Sequence, residues 1–281
     1  MTKLIDMHVH STFSDGTNTP AQLVSKAKEA GLSAFALTDH DTTDGIFEIL
    51  SAAKNSGIEV IPGIEISAGY KGARQDIHIL GYNMYYNSKN FQKHLSDFRN
   101  ERLNRNKQML QRMHDDGFNI SYEQVTYAYP DSVITRAHFA RFLMEKGYTS
   151  SLKEGFDKYL SKNSKYYIPR KLVSPTGAVE IIKEAGGVAV LAHPLLYGLD
   201  DAALNILISD LKEKGLDGIE AIYSLHSDKD ESYVRSLADK FNLKISGGSD
   251  YHGTNKPDIF IGKGKGNLKI PYSVLEQLLY Q

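Results

Sequence analysis

The chain has 281 residues, 41% of them hydrophobic and 24% charged, enough apolar material for a sizeable core in one large domain or two modest ones. Lys and Arg number 33 against 34 Asp and Glu, so the net charge of -1 offers no whole-surface field for a long nucleic acid tract, while leaving room for a local basic pocket. No apolar run approaches the ~20 residues of a membrane span, the start at Met1–Asp6 lacks a signal-peptide core, and the absence of cysteine excludes disulfides and thiolate metal sites. A cytoplasmic protein with no membrane association and no obligate protein partner is expected.

Leu4–His10 reads as a strand, and Thr19-Pro20 opens a helix that runs to Ala30 with Gly31 as its stop. Ala34–Thr38 is a short buried strand and Asp44–Asn55 a helix ended by Gly57. Ile58–Ile61, Ile64–Ala68 and Ile77–Tyr82 are further strands, the last two around a glycine-containing turn at Gly69–Gly72. From about Asp97 to Tyr167 the periodicity is helical with no convincing strand. The alternation then returns as helix Gly177–Ala185, strand Val188–Ala192, helix Ala202–Lys214, strand Gly218–Ile222, helix Asp230–Phe241 and strand Leu243–Gly247. Such alternation argues for parallel βα units. The expected organisation is an α/β barrel-like domain made of 1–96 and 172–281, interrupted by a helical insertion over 97–171 that serves as substrate wall or lid.

Histidines and acids collect where predicted strands end. His8 and His10 are two apart on the first strand and leave the same face. Asp15 follows in the turn Ser14-Asp15-Gly16, and Thr38-Asp39-His40-Asp41 closes the second strand. Glu65 interrupts the apolar series Ile61–Ile66, and His78 lies between Ile77 and Ile79. His193 precedes Pro194 after an apolar strand, and Ser249-Asp250-Tyr251-His252 follows the last one. Any one of these is explained by a hydrogen-bonded core histidine or a salt-bridged glutamate. Their joint recurrence is not, because in barrels the rim where strands feed loops gathers the active site. Nitrogen and oxygen donors without sulfur suit zinc, manganese or iron.

The set His8-x-His10, Thr38-Asp39-His40, Glu65, His78, Ala192-His193-Pro194 and Ser249-Asp250-Tyr251-His252 resembles the polymerase and histidinol phosphatase (PHP) family of metal-dependent phosphoesterases. The resemblance covers the chain apart from the insertion. It implies a distorted (β/α)7 barrel with two or three divalent ions, Mn, Fe or Zn, and makes these nine side chains the expected metal-binding and catalytic residues. His8, His10, Glu65 and Asp250 are implied for one ion, a bridging Glu65 with His78 and His193 for a second, and Asp15, His40 and His252 for a third. Members resembling histidinol phosphatase or polymerase-attached domains usually carry histidine where this chain has Asp15. Ser14-Asp15-Gly16, the long insertion and Thr135-Arg136-Ala137-His138-Phe139-Ala140-Arg141 resemble instead the branch that hydrolyses nucleoside 3',5'-bisphosphates and trims short RNA from its 5' end. The implied reaction is attack of a metal-bridging hydroxide on phosphorus of a small nucleotide or short RNA. A histidinol-phosphate-type metabolite phosphatase and a catalytically silent interaction module are the alternatives.

Charge arithmetic favours an anionic substrate independently: three divalent ions bring about +6 and three carboxylates return about -3. Arg136, His138 and Arg170 are the expected phosphate contacts, with Arg141 and Lys171 adding charge nearby. If the 135–141 stretch is helical, positions 136 and 138 do not share a face, which points to a helix start. Tyr166, Tyr167 or Tyr197 is expected to stack on a base. His94 and His114 read as solvated, His226 as a second-tier or leaving-group acid, and Asp6 as a residue orienting a ligand. Gly262-Lys263-Gly264-Lys265-Gly266 lacks the phosphate-loop pattern and reads as a mobile basic turn.

Overall fold

The computed structural model describes residues 3–280; positions 1, 2 and 281 of the expected barrel lie outside the described residues. Its strands are β1 (Leu4–Val9), β2 (Leu32–Leu37), β3 (Glu59–Ala68), β4 (Ile77–Tyr82), β5 (Val188–Leu191), β6 (Gly218–Tyr223), β7 (Lys244–Gly248) and the two-residue β8 (Ile270–Pro271). They form one sheet in the order β7-β6-β5-β4-β3-β2-β1-β8. The sheet curls until its ends nearly meet: Val9 bridges Tyr251 in parallel, the Asp250 N–H donates to the His8 carbonyl (2.9 Å) and the His10 N–H to the Tyr251 carbonyl (3.0 Å). The Tyr82 hydroxyl crosses the interior from β4 to donate to the Met7 carbonyl of β1 (2.8 Å).

Two strand expectations need correction. Ile58–Ile61 and Ile64–Ala68 are not separate strands but the single β3, because Pro62 pairs with Leu37 on β2 and its carbonyl still accepts the Asn83 N–H (3.0 Å). Gly63 permits this close approach, since a Cβ there would stand 2.7 Å from the Leu37 carbonyl oxygen. The units are also not all parallel: β4 runs antiparallel to both β3 and β5. The segment from Gly69 to Asp76 is too short for a crossover, which needs about a dozen residues or more. The reversal brings the first residues of β4 to the rim where β1, β2, β5 and β7 end.

Helices α1 (Pro20–Glu29) and α2 (Ile46–Ala53) cover β1–β3, burying Leu23, Val24, Ala27 and Ile49 against Val9, Phe35 and Leu37. Thr19 caps α1 by accepting the Gln22 N–H, with Pro20 in the first turn, where its missing donor costs nothing. Helix α3 (Lys89–Asp115) begins ahead of position 97, because Ser88 accepts the Phe91 N–H and Phe91 and Leu95 pack in the barrel cluster. Its later turns belong elsewhere: Met109, Leu110 and Met113 join α4 (Tyr122–Ala128), α5 (Arg136–Glu145), Leu160 and Tyr166 in a separate core. The short α6 (Leu152–Gly155) leads into a π-helical turn at Phe156–Leu160. Helices α7 (Pro175–Glu184), α8 (Asp201–Glu213) and α9 (Asp228–Phe241) cover β3–β6, and α10 (Tyr272–Leu279) packs under β1 and β7. No helix among the described residues is long and apolar enough to cross a membrane.

Barrel closure depends on Gly248, where a Cβ would stand 2.3 Å from the His8 Cβ and 2.6 Å from its backbone nitrogen. Gly248→Ala is therefore expected to push β7 from β1 and lower stability by about 1–3 kcal/mol. Urea denaturation of both proteins measures it, and equal midpoints would refute the close approach.

Candidate metal centre

The rim gathers side chains from almost every strand. His8 comes from β1, His10 and Asp15 from the loop after it, His40 from just after β2, where it bridges Glu65, and Glu65 from within β3. His193 follows β5, and Asp250 and His252 follow β7. His78, second residue of β4, reaches the same place only because β4 is reversed. Non-glycine residues in left-handed backbone mark this rim, at Asp41 (φ 54°), His193 (φ 23°) and Asp250 (φ 57°), a strain that tends to concentrate at functional sites.

Glu65 is the hub. Its Oε1 lies 2.7 Å from His78 Nδ1 and 3.1 Å from His193 Nε2; its Oε2 lies 3.0 Å from His40 Nδ1, 3.2 Å from His10 Nε2 and 3.4 Å from His8 Nε2. Asp250 Oδ1 stands 3.3 Å from His252 Nδ1, 3.4 Å from His10 Nε2 and 3.6 Å from His8 Nε2. Asp15 Oδ1 lies 3.2 Å from His252 Nε2 and 3.7 Å from His40 Nε2. All nine expected residues are thus brought together. The donor atoms of seven of them group, within 4.8 Å of one another, as His10, Asp15, His40 and His252, as His8, His10 and Glu65, and as His40, Glu65 and His78, with His193 and Asp250 outside these groups. His10 and His40 each join two groups, so the donors are shared more widely than in the sets the resemblance implies.

Among the described residues, His8 Nε2, His10 Nε2, Asp15 Oδ1, His40 Nδ1, Glu65 Oε2 and His78 Nδ1 are buried without a hydrogen-bond partner. Burial opposes charge on Glu65, Asp15 and Asp250, but facing imidazoles, joined by Lys256 at Asp250, hold all three well below the usual carboxylate range. Against its own burial, His8 is driven well above its ordinary value by Glu220, Glu65 and Asp250, and His10 rises to about 9 beside Asp250 and Glu65. Burial wins at His40, pulled down to about 3, and also lowers His193 and His252. Buried anionic carboxylates among imidazoles with unpaired lone-pair atoms form a donor set suited to divalent metal ions.

A supporting tier holds these donors. Glu220, fully buried, takes the His8 Nδ1 at 3.0 Å through Oε1 and the His193 backbone N–H at 2.9 Å through Oε2. Asp39 accepts from the Ser11 N–H, the Ser11 hydroxyl and the Ser14 hydroxyl, the last lying 3.5 Å from His10 Nδ1. Tyr223 and Lys256 hold Asp250 Oδ2 at 2.8 and 2.6 Å. Sequence reasoning missed Glu220, whose signal was a lone acid inside the buried strand Gly218–Tyr223. Asp6, expected to orient a ligand, accepts the His8 backbone N–H (3.2 Å) and also accepts from Ser249 and Gly262, so that it ties β1 to the loops after β7.

Beside Asp15, His40 and His78 opens a cleft of about 150 Å³ lined by Arg102, Arg105, Arg136 and Arg170, with Phe156 and Tyr167 as ring-bearing walls. Asp41 accepts from Arg102 and from Arg170 (3.0 Å), and Asp76 lies 4.0 Å from Arg136. Burial and the neighbouring Arg102, Arg136 and Arg170 pull Arg105 down to about 9, and its Nε has no partner among the described residues. Arg102 and Arg105 were also missed. They sit in a charged stretch that reads as solvated, although with Asn106, Met109, Leu110 and Met113 they continue one buried helical stripe.

Several expected contacts lie elsewhere. Thr135 caps α5, placing Arg136 and His138 in its first turn, but His138 is buried, with Nδ1 accepting the Thr135 N–H (2.9 Å) and the ring bonded to the Ser14 backbone. It does not line the cleft. Arg141 bonds Asn255 and Thr254, and Lys171 is exposed away from the lining. Tyr197 is fully buried, accepting the His78 N–H and donating to the Ala192 carbonyl; Tyr166 donates to Asp116 in the insertion core. Of the three tyrosines only Tyr167 faces the cleft. His226 turns Nδ1 to the Ala221 carbonyl (2.8 Å), His94 is half-buried and His114 exposed.

Residues 6–172 match the PHP domain profile. A 5'-3' exoribonuclease from Haemophilus influenzae is 35% identical over 255 residues, covering 90% of this chain and 91% of that protein. A 3',5'-nucleoside bisphosphate phosphatase from Chromobacterium violaceum is 33% identical over 249 residues, covering 88% and 87%. The fold is similar to a solved structure from Bifidobacterium adolescentis described as a candidate metal-dependent phosphoesterase, with a TM-score of 0.86 and 30% identity over 99% of this chain and 96% of that one.

The Asp41 carboxylate is the internal partner of two buried guanidiniums. Asp41→Asn should cost about 3–5 kcal/mol by leaving Arg102 and Arg170 uncompensated. A further Arg170→Met change should recover part of it. Chemical denaturation of the series checks this, and no recovery in the double variant would refute the pairing.

Proposed function

The chain belongs to the PHP domain family, and from that premise we propose that it is a metal-dependent phosphoesterase of small nucleotides, removing the 3'-phosphate of nucleoside 3',5'-bisphosphates and trimming short oligoribonucleotides from the 5' end. The observation that carries this reading is the cleft: Arg102, Arg105, Arg136 and Arg170 line it directly beside Asp15, His40 and His78 of the donor cluster. A simple phosphomonoester needs only the donor cluster. A second cationic cradle on its rim suits a substrate with a second phosphate, and Phe156 and Tyr167 offer faces for the ribose and base between them.

His8, His10, Asp15, His40, Glu65, His78, His193, Asp250 and His252 would hold two or three divalent ions of manganese, iron or zinc. Bound there, such ions supply charge neutralisation at the phosphoryl oxygens and a nucleophilic water near neutral pH. The chain's own contribution is placement. Arg102, Arg105, Arg136 and Arg170 fix the remote 5'-phosphate, so its binding energy is used to set the 3'-phosphorus at the rim. Water adds to phosphorus as the bond to the 3'-oxygen opens; that oxygen takes a proton, and nucleoside 5'-phosphate and inorganic phosphate leave. Glu220, Asp39, Tyr223 and Lys256 keep the donors oriented throughout.

Adenosine 3',5'-bisphosphate should therefore be cleaved with far higher kcat/KM than adenosine 3'-monophosphate or histidinol phosphate, assayed with manganese. Arg136→Ala should lower kcat/KM on the bisphosphate by ~10²-fold, roughly 1.5–3 kcal/mol for a charge-assisted contact, while leaving metal content unchanged. Equal rates on the two nucleotides, or preference for histidinol phosphate, would reject the reading. Strong chelation should abolish turnover. In elemental analysis Glu65→Gln, which touches five imidazoles, should lose more metal than Asp15→Asn; the opposite order would reject the assignment of Glu65 as the shared donor.

A further inference from the structure

Asp250 has two faces. Its Oδ1 looks into the donor cluster, whereas Oδ2 is held by Tyr223 and Lys256 and forms the wall of a second cleft of about 190 Å³. This cleft is distinct from the arginine-lined one and shares none of its lining residues. Its floor is apolar, made by Leu225, Pro257 and Ile259, with Leu225 47% exposed. Lys256, Asp258 and Lys265 also line it, with Lys256 held by Asp250.

Lys265 belongs to the basic turn Gly262–Gly266, and the structure shows why that turn alternates glycine with lysine. Gly262, Gly264 and Gly266 adopt φ of 70°, 56° and 94°, a region that favours glycine. Phe260 and Gly264 exchange backbone hydrogen bonds of 2.8 Å in both directions, and the Gly262 N–H is fixed to Asp6 Oδ2 at 2.7 Å. The turn expected to be mobile is thus a hydrogen-bonded element that sets a cation beside an apolar surface, one carboxylate away from the donor cluster. An apolar face with adjacent lysines suits one nucleotide of a single strand, the base on the face and its phosphate toward the cation.

We propose that the cleft behind Asp250 receives the nucleotide on the 3' side of the scissile phosphate in short 5'-phosphorylated oligoribonucleotides. The proposal rests on the function argued above and adds a place for the part of the substrate that a nucleoside bisphosphate lacks. The bond that opens is the same, from phosphorus to the 3'-oxygen of the first nucleotide. Water adds to phosphorus, the 3'-oxygen takes a proton, and the shortened chain keeps the phosphate on its new 5' end.

The test compares kcat/KM for adenosine 3',5'-bisphosphate and a 5'-phosphorylated adenylate trimer in the wild-type enzyme and in Leu225→Ser and Lys265→Ala, two solvent-facing changes outside the donor cluster. Each variant should lose about tenfold on the trimer, as expected from weakening one apolar or phosphate contact, with the bisphosphate unchanged. An unaltered ratio of the two substrates in both variants, or an equal loss on both substrates, overturns the proposal. If the wild-type enzyme cleaves the bisphosphate but not the trimer, the cleft assignment fails while the phosphatase reading stands. If it cleaves neither, the functional reading falls and the cleft assignment with it.

Discussion

One buried carboxylate organises this molecule. Glu65 is 1% exposed and has five imidazoles within 3.4 Å of its two oxygens. An isolated ionised glutamate could not be buried there, because desolvation alone costs several kcal/mol. Compensation must come from the imidazoles around it, as charge from His8, His10 and His78, whose ionisation is favoured, and as close polar neighbours at His40 and His193; these residues lie on or just after β1, β2, β4 and β5. Satisfying Glu65 therefore demands that those strands present the same end to one point, which a curled sheet does and a flat one does not. The reversed β4 follows from the same demand, since a parallel strand would put His78 at the opposite end of the barrel.

The second organising feature is the division of charge between barrel and insertion. The barrel rim is rich in carboxylates and imidazoles, and the insertion faces it with guanidiniums from α3 and α5. Asp41, in left-handed backbone at the end of the β2 loop, is where the two meet, taking Arg102 from the insertion and Arg170 from the segment that returns to the barrel. Two of the arginines are thereby positioned before any ligand arrives, and Arg105 lacks a full set of partners. Preorganised positive charge of this kind grips an anion without reorganising.

Much of the centre was legible because its residues are chemically odd where they stand: histidine and acid repeated at the ends of apolar strands serve no packing need. Glu220 is as odd, alone in a buried strand, but its partners lie far away in sequence and no local spacing announces them. Arg102 and Arg105 look like any charged helix; only the packing of α3 across two cores turns that face inward. Strand direction is absent from a period-two pattern, so the reversal of β4 could be inferred only from the shortness of its connection. His138 shows the limit of reading residue type without geometry. A histidine three residues after Thr135 suits a phosphate, yet at this position of a helix start its ring closes the cap instead. The Pro62-Gly63 pair looked like a break and is a place of close strand contact.

The tie between Asp6 and Ser249 spans 243 positions, and that between His8 and Glu220 spans 212. Contacts so distant along the chain carry a large loop-closure cost, which slows folding. During synthesis at roughly 5–20 residues per second, the first half emerges with a cluster of unpaired histidines and acids many seconds before Glu220 and Asp250 exist. An incomplete chain therefore lacks both the acid that holds His8 Nδ1 and the carboxylate that faces His10, so the centre is completed only when the last strands arrive.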